Sequence, residues 1–271
     1  MPVDARSIST FSIPARFNGP PTTANGGYAC GVFAGLGAEL YGPGAAVTLL
    51  VPPPLDTVLE FHGGPRRSQI RRGDELIATV GPAKGDPEIL EPVRADEARA
   101  AAAAFRGEPD PAFRDCFVCG GNRRAGDGLL LTPGPVTRLP GTVACLWTPD
   151  SSVCEQGRAR AAVVWGVLDC PGGWTADPAQ EPMVLSWMTA RIAEPPVAGR
   201  PYVVVGRETR RSGRTASKAT ALYTEDGRLV AHAAAVWTAV NEAITSVAES
   251  VHRQGHDDST VAWTRTAGAG N

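Results

Sequence analysis

The chain has 271 residues, enough for two domains of ordinary size, and its hydrophobic fraction of 43% and charged fraction of 20% are typical of a globular protein. A formal net charge of −2 gives no reason to expect nucleic acid or an anionic membrane surface as a partner. No apolar run reaches the length of a membrane span, and residues 1–12 lack the apolar core of a secretory signal. We therefore expect a cytoplasmic protein that binds neither nucleic acid nor a membrane, and whose six cysteines are reduced thiols.

The first half of the chain has the pattern of a short strand followed by a buried helix and a hairpin. Residues 10–13 favour a strand, and residues 28–40 favour a helix that is rich in Ala and Gly and apolar on nearly all sides. A helix without a polar face must be buried over most of its surface. Three further strands are predicted after it, at residues 58–61, 66–71 and 76–80.

An Ala-rich segment and a Pro-containing segment separate the two halves. Residues 95–105 predict a solvent-exposed helix, with Asp96 and Glu97 favourably placed in its first turn. Residues 107–114 contain two prolines and predict an interdomain linker. We therefore expect four parts along the chain: an N-terminal domain at 1–94, a helix and linker at 95–114, a C-terminal domain at 115–240 and a largely flexible extension at 241–271.

The second half repeats the order of the first, and internal repetition of this kind indicates a repeated structural unit. Residues 141–147 favour a strand and residues 159–170 a second apolar helix. Strands are expected after this helix at residues 202–210, 217–223 and 228–237, the last two joined by a Glu-Asp-Gly turn. The simplest arrangement is one buried helix wrapped by a curved antiparallel sheet in each half, which gives an α+β fold.

Two segments carry a resemblance to a known family. Residues 17–21 (FNGPP) and 24–28 (ANGGY) are similar to the segment that opens the central helix of hotdog thioesterases, and residues 213–237 are similar to the last strands of the same family. The chain thus resembles an acyl-CoA thioesterase with a double hotdog. This resemblance implies two tandem hotdog domains, each a long central helix wrapped by a curved antiparallel sheet. It also implies a hydrolase that cleaves an acyl-CoA or related thioester at the domain interface, without a metal or redox cofactor.

In such enzymes the start of a central helix polarises the thioester carbonyl, and a carboxylate on the partner helix activates water or attacks directly. The resemblance places Asn25, Gly26 and Gly27 at the carbonyl, with Tyr28 beside them as a substrate contact. Glycine allows a backbone N–H to approach the oxygen closely. Alternatively, these residues form an ordinary helix start with Asn25 as the N-cap. Asn25 also stands where the family often has His.

Asp169 is the candidate general base or nucleophile. It is the only acid in the apolar run 163–169. Because burying an unpaired carboxylate is costly, we expect it to be hydrogen-bonded, to be protonated or to have a catalytic function. Alternatively, it ends the helix, because residues 170–173 (CPGG) have the pattern of a terminator. The first helix has Gly37 at the matching place, with Glu39 two residues on. We therefore expect at most one competent site per chain.

Arginines near the predicted last hairpin are candidates for binding the phosphates of CoA. Arg210, Arg211 and Arg214, together with Lys218, form a basic cluster at the end of a predicted strand. Solvated strand ends that protect a sheet edge are the alternative explanation.

The Cys116–Cys119 pair resembles half of a zinc site. A structural zinc site needs four ligands, and the sequence has no second such pair, while His252 and His256 fall in the predicted extension. We therefore expect no metal, and thiols that pack together near the start of the second domain.

Two rival functions are weighed against hydrolysis. A hotdog hydratase would need an Asp and a His on the loop before the helix, and residues 20–28 contain neither. A non-catalytic acyl-CoA or fatty-acyl binding or regulatory protein would use the same groove, and it would be favoured by a solvent-exposed, salt-bridged Asp169. The oligomeric state stays open, since double hotdogs can pair through sheet edges or faces to form a homo-oligomer.

Overall fold

The computed structural model describes residues 8–105, 113–178 and 180–240. The predicted extension at 241–271 and most of the predicted linker at 107–114 lie outside the described residues. The helices longer than three residues are α1 (Gly26–Leu36), α2 (Ala38–Tyr41), α3 (Ala95–Ala103) and α4 (Ala161–Gly173). The strands are β1 (Ile8–Phe11), β2 (Ala45–Leu49), β3 (Leu59–His62), β4 (Ser68–Arg72), β5 (Glu75–Pro82), β6 (Gly134–Pro135), β7 (Thr142–Trp147), β8 (Cys154–Glu155), β9 (Arg158–Ala159), β10 (Met183–Ile192), β11 (Tyr202–Ser212), β12 (Thr215–Thr224) and β13 (Leu229–Ala239).

Within the described residues, eleven strands form one antiparallel sheet in the order β1-β3-β4-β5-β2-β10-β13-β12-β11-β7-β6. The order β1-β3-β4-β5-β2 of the first half mirrors the order β7-β11-β12-β13-β10 of the second half, and β6 lies outside β7 at the edge of the sheet. The two halves join where β2 pairs with β10, with Val47 opposite Met188. The large antiparallel sheet and the few helices confirm the α+β class, and the mirrored order agrees with the internal repeat seen in the sequence.

The last three strands, β11 to β13, match their predicted positions closely, because apolar runs and a clear acidic turn mark them. No strand is predicted from the sequence at β2 or β10, although these two strands join the halves. Strand β10 contains an irregularity between Leu185 and Trp187, which interrupts the alternation of side chains. Strand β2 is only five residues long and follows a Gly-Pro-Gly turn.

The predicted end of the second helix was wrong, because α4 continues through Pro171 to Gly173. A proline at this point removes only the backbone hydrogen bond that residue 171 would have donated to Val167, and the helix runs for just two residues beyond it. The neighbouring carbonyl of Leu168 accepts a hydrogen bond of 2.7 Å from the Thr220 hydroxyl on β12. Asp169 therefore lies inside the helix and does not cap its end.

Helices α1 and α4 pack directly against each other and against the sheet. A Cβ atom added at Gly31 would lie 2.6 Å from the Cα of Ala162, and one added at Gly27 would overlap Asp169. The start of α1 thus lies beside the later turns of α4, so the two helices run antiparallel. The all-round apolar character of both helices follows from this position between the sheet and each other.

Helix α3 has the predicted position, but the expectation that it is solvent-exposed was wrong. Ala98 and Ala101 are buried in a second apolar cluster that includes Leu90, Val203 and Tyr223. A Cβ atom at Gly134 would overlap the carbonyl oxygen of Ala101, so the helix lies tightly on the strands. The alanines that suggested a simple exposed helix provide a small-residue face for close packing. Among the helices described, none is long and apolar enough to cross a membrane.

Candidate functional site

A cavity of about 290 Å³ lies between the start of α1, α4 and the strands near the junction of the halves. The first half contributes Asn25, Gly26 and residues 49–53, and the second half contributes Asp169, Cys170 and residues 183–186. Most of its walls are apolar, while an amide and a carboxylate lie side by side at one end. This is the composition of a small-molecule site, which combines an apolar volume with few convergent polar groups.

Asn25 is the N-cap of α1 and also points its amide across to α4. Its side-chain oxygen accepts a hydrogen bond of 2.9 Å from the Tyr28 N–H, which satisfies one free donor of the first turn. Its Nδ2 lies 3.5 Å from Oδ2 of Asp169 and 3.6 Å from Sγ of Cys170. The side chain therefore does both things that the sequence offered as alternatives, since it caps the helix and lines the cavity.

Asp169 is 2% exposed and is held by the opposite helix. Its Oδ2 accepts a hydrogen bond of 2.8 Å from the backbone N–H of Gly27. Its Oδ1 is buried and has no hydrogen-bond partner among the described residues. Burial raises the pKa of this carboxyl group to about 7, against the opposing hydrogen bond from Gly27. A carboxyl group with such a pKa and one unpaired oxygen can take up a proton near neutral pH.

The two glycines differ in their availability to a ligand. The Gly27 N–H is used by Asp169, so it is not free to polarise a carbonyl. The Gly26 residue lines the cavity, and its N–H has no partner among the residues that the structure describes. The expected pair of backbone donors is therefore reduced to one, with the second serving to hold the carboxylate.

Tyr28 does not line the cavity. Its ring stacks on Phe17 with centroids 4.0 Å apart, and Phe117 contacts both rings edge-on. Tyr28 lies two residues after the first residue of α1. The turn of the helix over these two residues directs its side chain into the aromatic cluster with Phe17 and Phe117. The predicted substrate contact at Tyr28 is therefore replaced by a packing role.

The predicted arginines lie at the end of β11 and in the turn that joins it to β12. Arg211 forms ion pairs with Glu208 and Glu181, which raise the pKa of its guanidinium group. Arg214 donates to the carbonyl of Ala239, next to the cavity-lining Thr238. Arg210 is exposed. Part of the positive charge expected for phosphate binding is thus already paired.

Two groups near the site have surroundings that the sequence did not predict. Cys170 on α4 meets Cys116 and Cys119, so that three sulfurs lie within 4.8 Å of one another. Lys218 on β12 is 2% exposed, and burial lowers its pKa to about 8. Neither could be found by spacing, because each side chain reaches the site from a distant part of the chain. Lys218 was predicted as a member of the basic cluster with Arg210, Arg211 and Arg214, but its side chain is buried.

The corresponding position at the start of α4 does not form a second site, because the equivalent carboxylate and amide are missing there. Helix α1 has no acidic residue, and Glu39 on α2 is exposed. Helix α4 begins after Arg160, whose side chain makes no capping hydrogen bond. Within the described residues, the amide–carboxylate pair therefore occurs at one end of the helix pair only.

No protein-family model matches the chain, and no curated protein matches it. Among solved structures, a provisionally named thioesterase from Novosphingobium aromaticivorans superposes with a TM-score of 0.59 at 15% identity, over 87% of this chain and 96% of that chain. The TesB protein of Mycobacterium avium subsp. paratuberculosis gives a TM-score of 0.55 at 14% identity, over 88% of this chain and 94% of that chain.

These matches extend over nearly the whole length of both proteins. The chain therefore has a hotdog fold of the kind found in thioesterase-like proteins, and its mirrored strand order is consistent with a tandem arrangement. Sequence identities this low establish a shared fold, so the activity has to be inferred from the site.

Proposed function

We propose that the chain is a double hotdog hydrolase that cleaves an acyl-CoA or related thioester in the cavity between its halves. The first hotdog domain would comprise residues up to 94 with α1 as its central helix. The second would comprise residues 115–240 with α4 as its central helix. A single site would form from Asn25 and Gly26 of the first domain and Asp169 of the second.

The observation that carries this proposal is the position of Asp169. A carboxylate that is almost completely buried is costly unless its surroundings compensate for the lost hydration. Here one oxygen is fixed by the Gly27 N–H and the other has no partner among the described residues, while the carboxylate lines an apolar cavity. Such an arrangement is typical of a positioned base and gives little benefit to folding.

The chemistry follows from these groups. Asp169 takes a proton from a water molecule, and the resulting hydroxide attacks the thioester carbonyl. The oxyanion of the tetrahedral intermediate accepts hydrogen bonds from the Gly26 N–H and the Asn25 amide, near the positive end of the α1 dipole. The intermediate then expels the thiolate, which receives the proton from Asp169. Direct attack by the Asp169 carboxylate is the alternative first step, with water then cleaving the mixed anhydride.

The apolar walls indicate where the acyl group would lie. Residues 49–53 and Leu185 supply apolar contacts. The CoA phosphates would lie toward Arg210 and Arg214, with Arg211 contributing once its ion pairs to Glu181 and Glu208 rearrange.

The rival functions have less support. The burial of Asp169, with no ion pair among the described residues, removes the observation that would have favoured a non-catalytic acyl-CoA binder. A hydratase would need a histidine beside the acid, and no histidine lines the cavity as described. Binding without turnover nevertheless remains a measurable outcome.

The test is hydrolysis of short-, medium- and long-chain acyl-CoAs by wild type and Asp169→Asn. Loss of thioester absorbance should be followed, because a thiol reagent would also react with the chain's six cysteines. We expect turnover of at least one chain length and a fall of about 10²–10⁴-fold in kcat for Asp169→Asn.

The matched control is Glu39→Gln, which neutralises an exposed acid in the first half and should leave turnover unchanged. Equal activity of Asp169→Asn and wild type would remove Asp169 from the mechanism. Binding of acyl-CoA without turnover of any chain length would refute hydrolysis and leave the binding role.

A further inference from the structure

Three buried thiols meet beside the cavity and take no part in the proposed hydrolysis. The sulfurs of Cys116, Cys119 and Cys170 all lie within 4.8 Å of one another, and those of Cys116 and Cys170 are 4.0 Å apart. Each of the three residues is at most 7% exposed. Two separate parts of the chain therefore build this cluster. The remaining cysteines do not belong to it: Cys30, Cys145 and Cys154.

The spacing of the sulfurs suits a tetrahedral thiophilic metal ion. With zinc–sulfur bonds of about 2.3 Å, two thiolates on one tetrahedral zinc ion lie about 3.8 Å apart. Sulfurs that already lie within 4.8 Å of one another would need only small side-chain rotations to reach this spacing. Hard cations such as Mg²⁺ prefer oxygen ligands, so a set of three sulfurs selects a soft or borderline metal.

The turn that holds Cys116 and Cys119 directs backbone N–H groups toward sulfur. The Val118 N–H lies 3.4 Å from Sγ of Cys116, and the Gly120 N–H donates to the Cys116 carbonyl at 2.9 Å. A Cβ atom at Gly120 would lie 2.5 Å from the Cys116 nitrogen, so only glycine allows the turn to close. This geometry places both sulfurs on one side of a tight and fixed loop.

Further N–H donors reach the sulfurs from α1. Nδ2 of Asn25 lies 3.6 Å from Sγ of Cys170 and 3.9 Å from Sγ of Cys116. Donors of this kind stabilise the negative charge that thiolates retain in a metal complex. Neutral thiols packed only for their size would not need such donors.

We propose that Cys116, Cys119 and Cys170 together bind one zinc ion through three thiolates. Cys116 and Cys170 line the main cavity beside Asp169, so the fourth coordination position would face that cavity and take a water molecule. The ion would fasten the loop at 113–122 to α4, and it would thereby join the start of the second half to the helix that carries Asp169. This zinc site stands independently of the hydrolase activity.

The first measurement is metal content and spectroscopy of the wild-type full chain, without a histidine tag and without substrate. We expect one zinc ion per chain by elemental analysis after dialysis against a weak chelator. Replacement by Co²⁺ should give an intense sulfur-to-cobalt charge-transfer band and visible bands of tetrahedral coordination. This step needs no variant, so a misfolded mutant cannot leave the result open.

The second measurement compares Cys119→Ser and Cys170→Ser with the control Cys145→Ser, which alters a buried thiol outside the cluster. Each cluster variant should lower zinc affinity by more than about 100-fold. Loss of a group that only hydrogen-bonds to a metal ligand already costs about 10–100-fold, and loss of the ligand itself should cost more. Cys145→Ser should retain the affinity of wild type. Asp169→Asn should retain zinc even if it loses turnover, which separates this proposal from the proposed hydrolysis.

The zinc site would be overturned by wild-type protein that keeps no zinc and shows no cobalt–sulfur band. It would equally be overturned by Cys170→Ser binding zinc as tightly as Cys145→Ser.

Discussion

The helices α1 and α4 occupy equivalent places in the two halves of the sheet, but they contribute different groups to the site. Helix α1 provides a glycine-rich start capped by Asn25 and has no acidic residue. Helix α4 provides Asp169 and Cys170 and has no side-chain cap. The two halves thus share one scaffold, while each half contributes one member of the amide–carboxylate pair.

The difference between the helices extends to how closely they approach. Gly27 and Gly31 allow α1 to lie against Trp165 and Ala162 of α4. At Gly35, further along α1, a Cβ atom would have no neighbour within 4 Å. The helices therefore pack closely from Gly27, beside Asp169, to Gly31, beside the first turn of α4, and Gly35 lies beyond this contact.

The largest effect is expected for Gly27→Ala. The new methyl group would overlap Asp169 and lie 2.7 Å from the carbonyl oxygen of Trp165, so the helices must separate. We expect a loss of about 3 kcal/mol in the free energy of unfolding and the loss of hydrolysis, because Asp169 also loses its backbone donor. Urea denaturation and turnover of acyl-CoA would measure both.

The matched control is Gly35→Ala on the same helix. With no neighbour in the way, alanine should raise stability by up to about 1 kcal/mol and leave hydrolysis unchanged. If both variants behaved alike, the two ends of α1 would not differ and close packing would not be tied to the site.

A smaller effect is expected for Asn25→Ser, which separates the two tasks of Asn25. Serine can still cap α1 by accepting from the Tyr28 N–H, but it lacks the amide donor that faces Asp169. We expect unfolding free energy to change by less than about 1 kcal/mol, while kcat/KM falls by about 10²-fold.

The control for this change is Asn18→Ser. Asn18 is also buried, but its amide donates to the carbonyl of Asp115 and it does not line the cavity. This variant should lose stability and keep most of its kcat/KM. Unchanged kcat/KM for Asn25→Ser would reduce Asn25 to a helix cap.

The sequence predicted the features that depend on local pattern. The α+β class, the repeated order of elements and the strands β11 to β13 follow from apolar runs and the turn residues between them. Asp169 is also predictable, because an acid in an apolar helix is unusual, and Asn25 was predicted from the family resemblance of the helix start. The structure brings these two side chains together across the halves.

The features that were missed depend on distant contacts. Cys170 is 54 residues from Cys116, and no spacing rule links a helix residue to a loop so far away. Whether Tyr28 faces the cavity or Phe17 depends on the rotation of α1, which its packing against α4 fixes. The use of the Gly27 N–H by Asp169 is likewise a property of the assembled helices.

The smallest effect is expected for a substitution of a buried polar group on β12. Strand β4 holds the corresponding place in the first half of the sheet and is compared with it. Ser68 on β4 is fully buried and hydrogen-bonded, with the Tyr41 hydroxyl at 2.8 Å. Lys218 on β12 is also buried, but its Nζ has no hydrogen-bond partner among the described residues. Its nearest carboxylate oxygen, from Glu208, lies 4.0 Å away. Of these two corresponding strands, β12 thus carries an incompletely compensated charge and β4 does not.

Burial lowers the pKa of Lys218 from 10.5 to about 8, while Glu208 on β11 and Glu181 and Asp169 oppose this shift and Arg211 adds to it. Between about pH 8 and pH 10.5 the unfolded chain therefore binds more protons at this residue than the folded chain, so its contribution to stability rises with pH. Lys218→Met should raise the free energy of unfolding at pH 7 by on the order of 1–3 kcal/mol.

This gain should shrink as the pH rises from 8 toward 10, which urea titrations at several pH values would show. The control is Lys84→Met, which alters the chain's other lysine at an exposed position and should change the free energy of unfolding by less than about 0.5 kcal/mol. If the increase in the free energy of unfolding for Lys218→Met stayed constant across this pH range, the folded protein would not bury the Lys218 amine in its charged form. Strands β4 and β12 would then not differ in buried charge, and the asymmetry would be confined to α1 and α4.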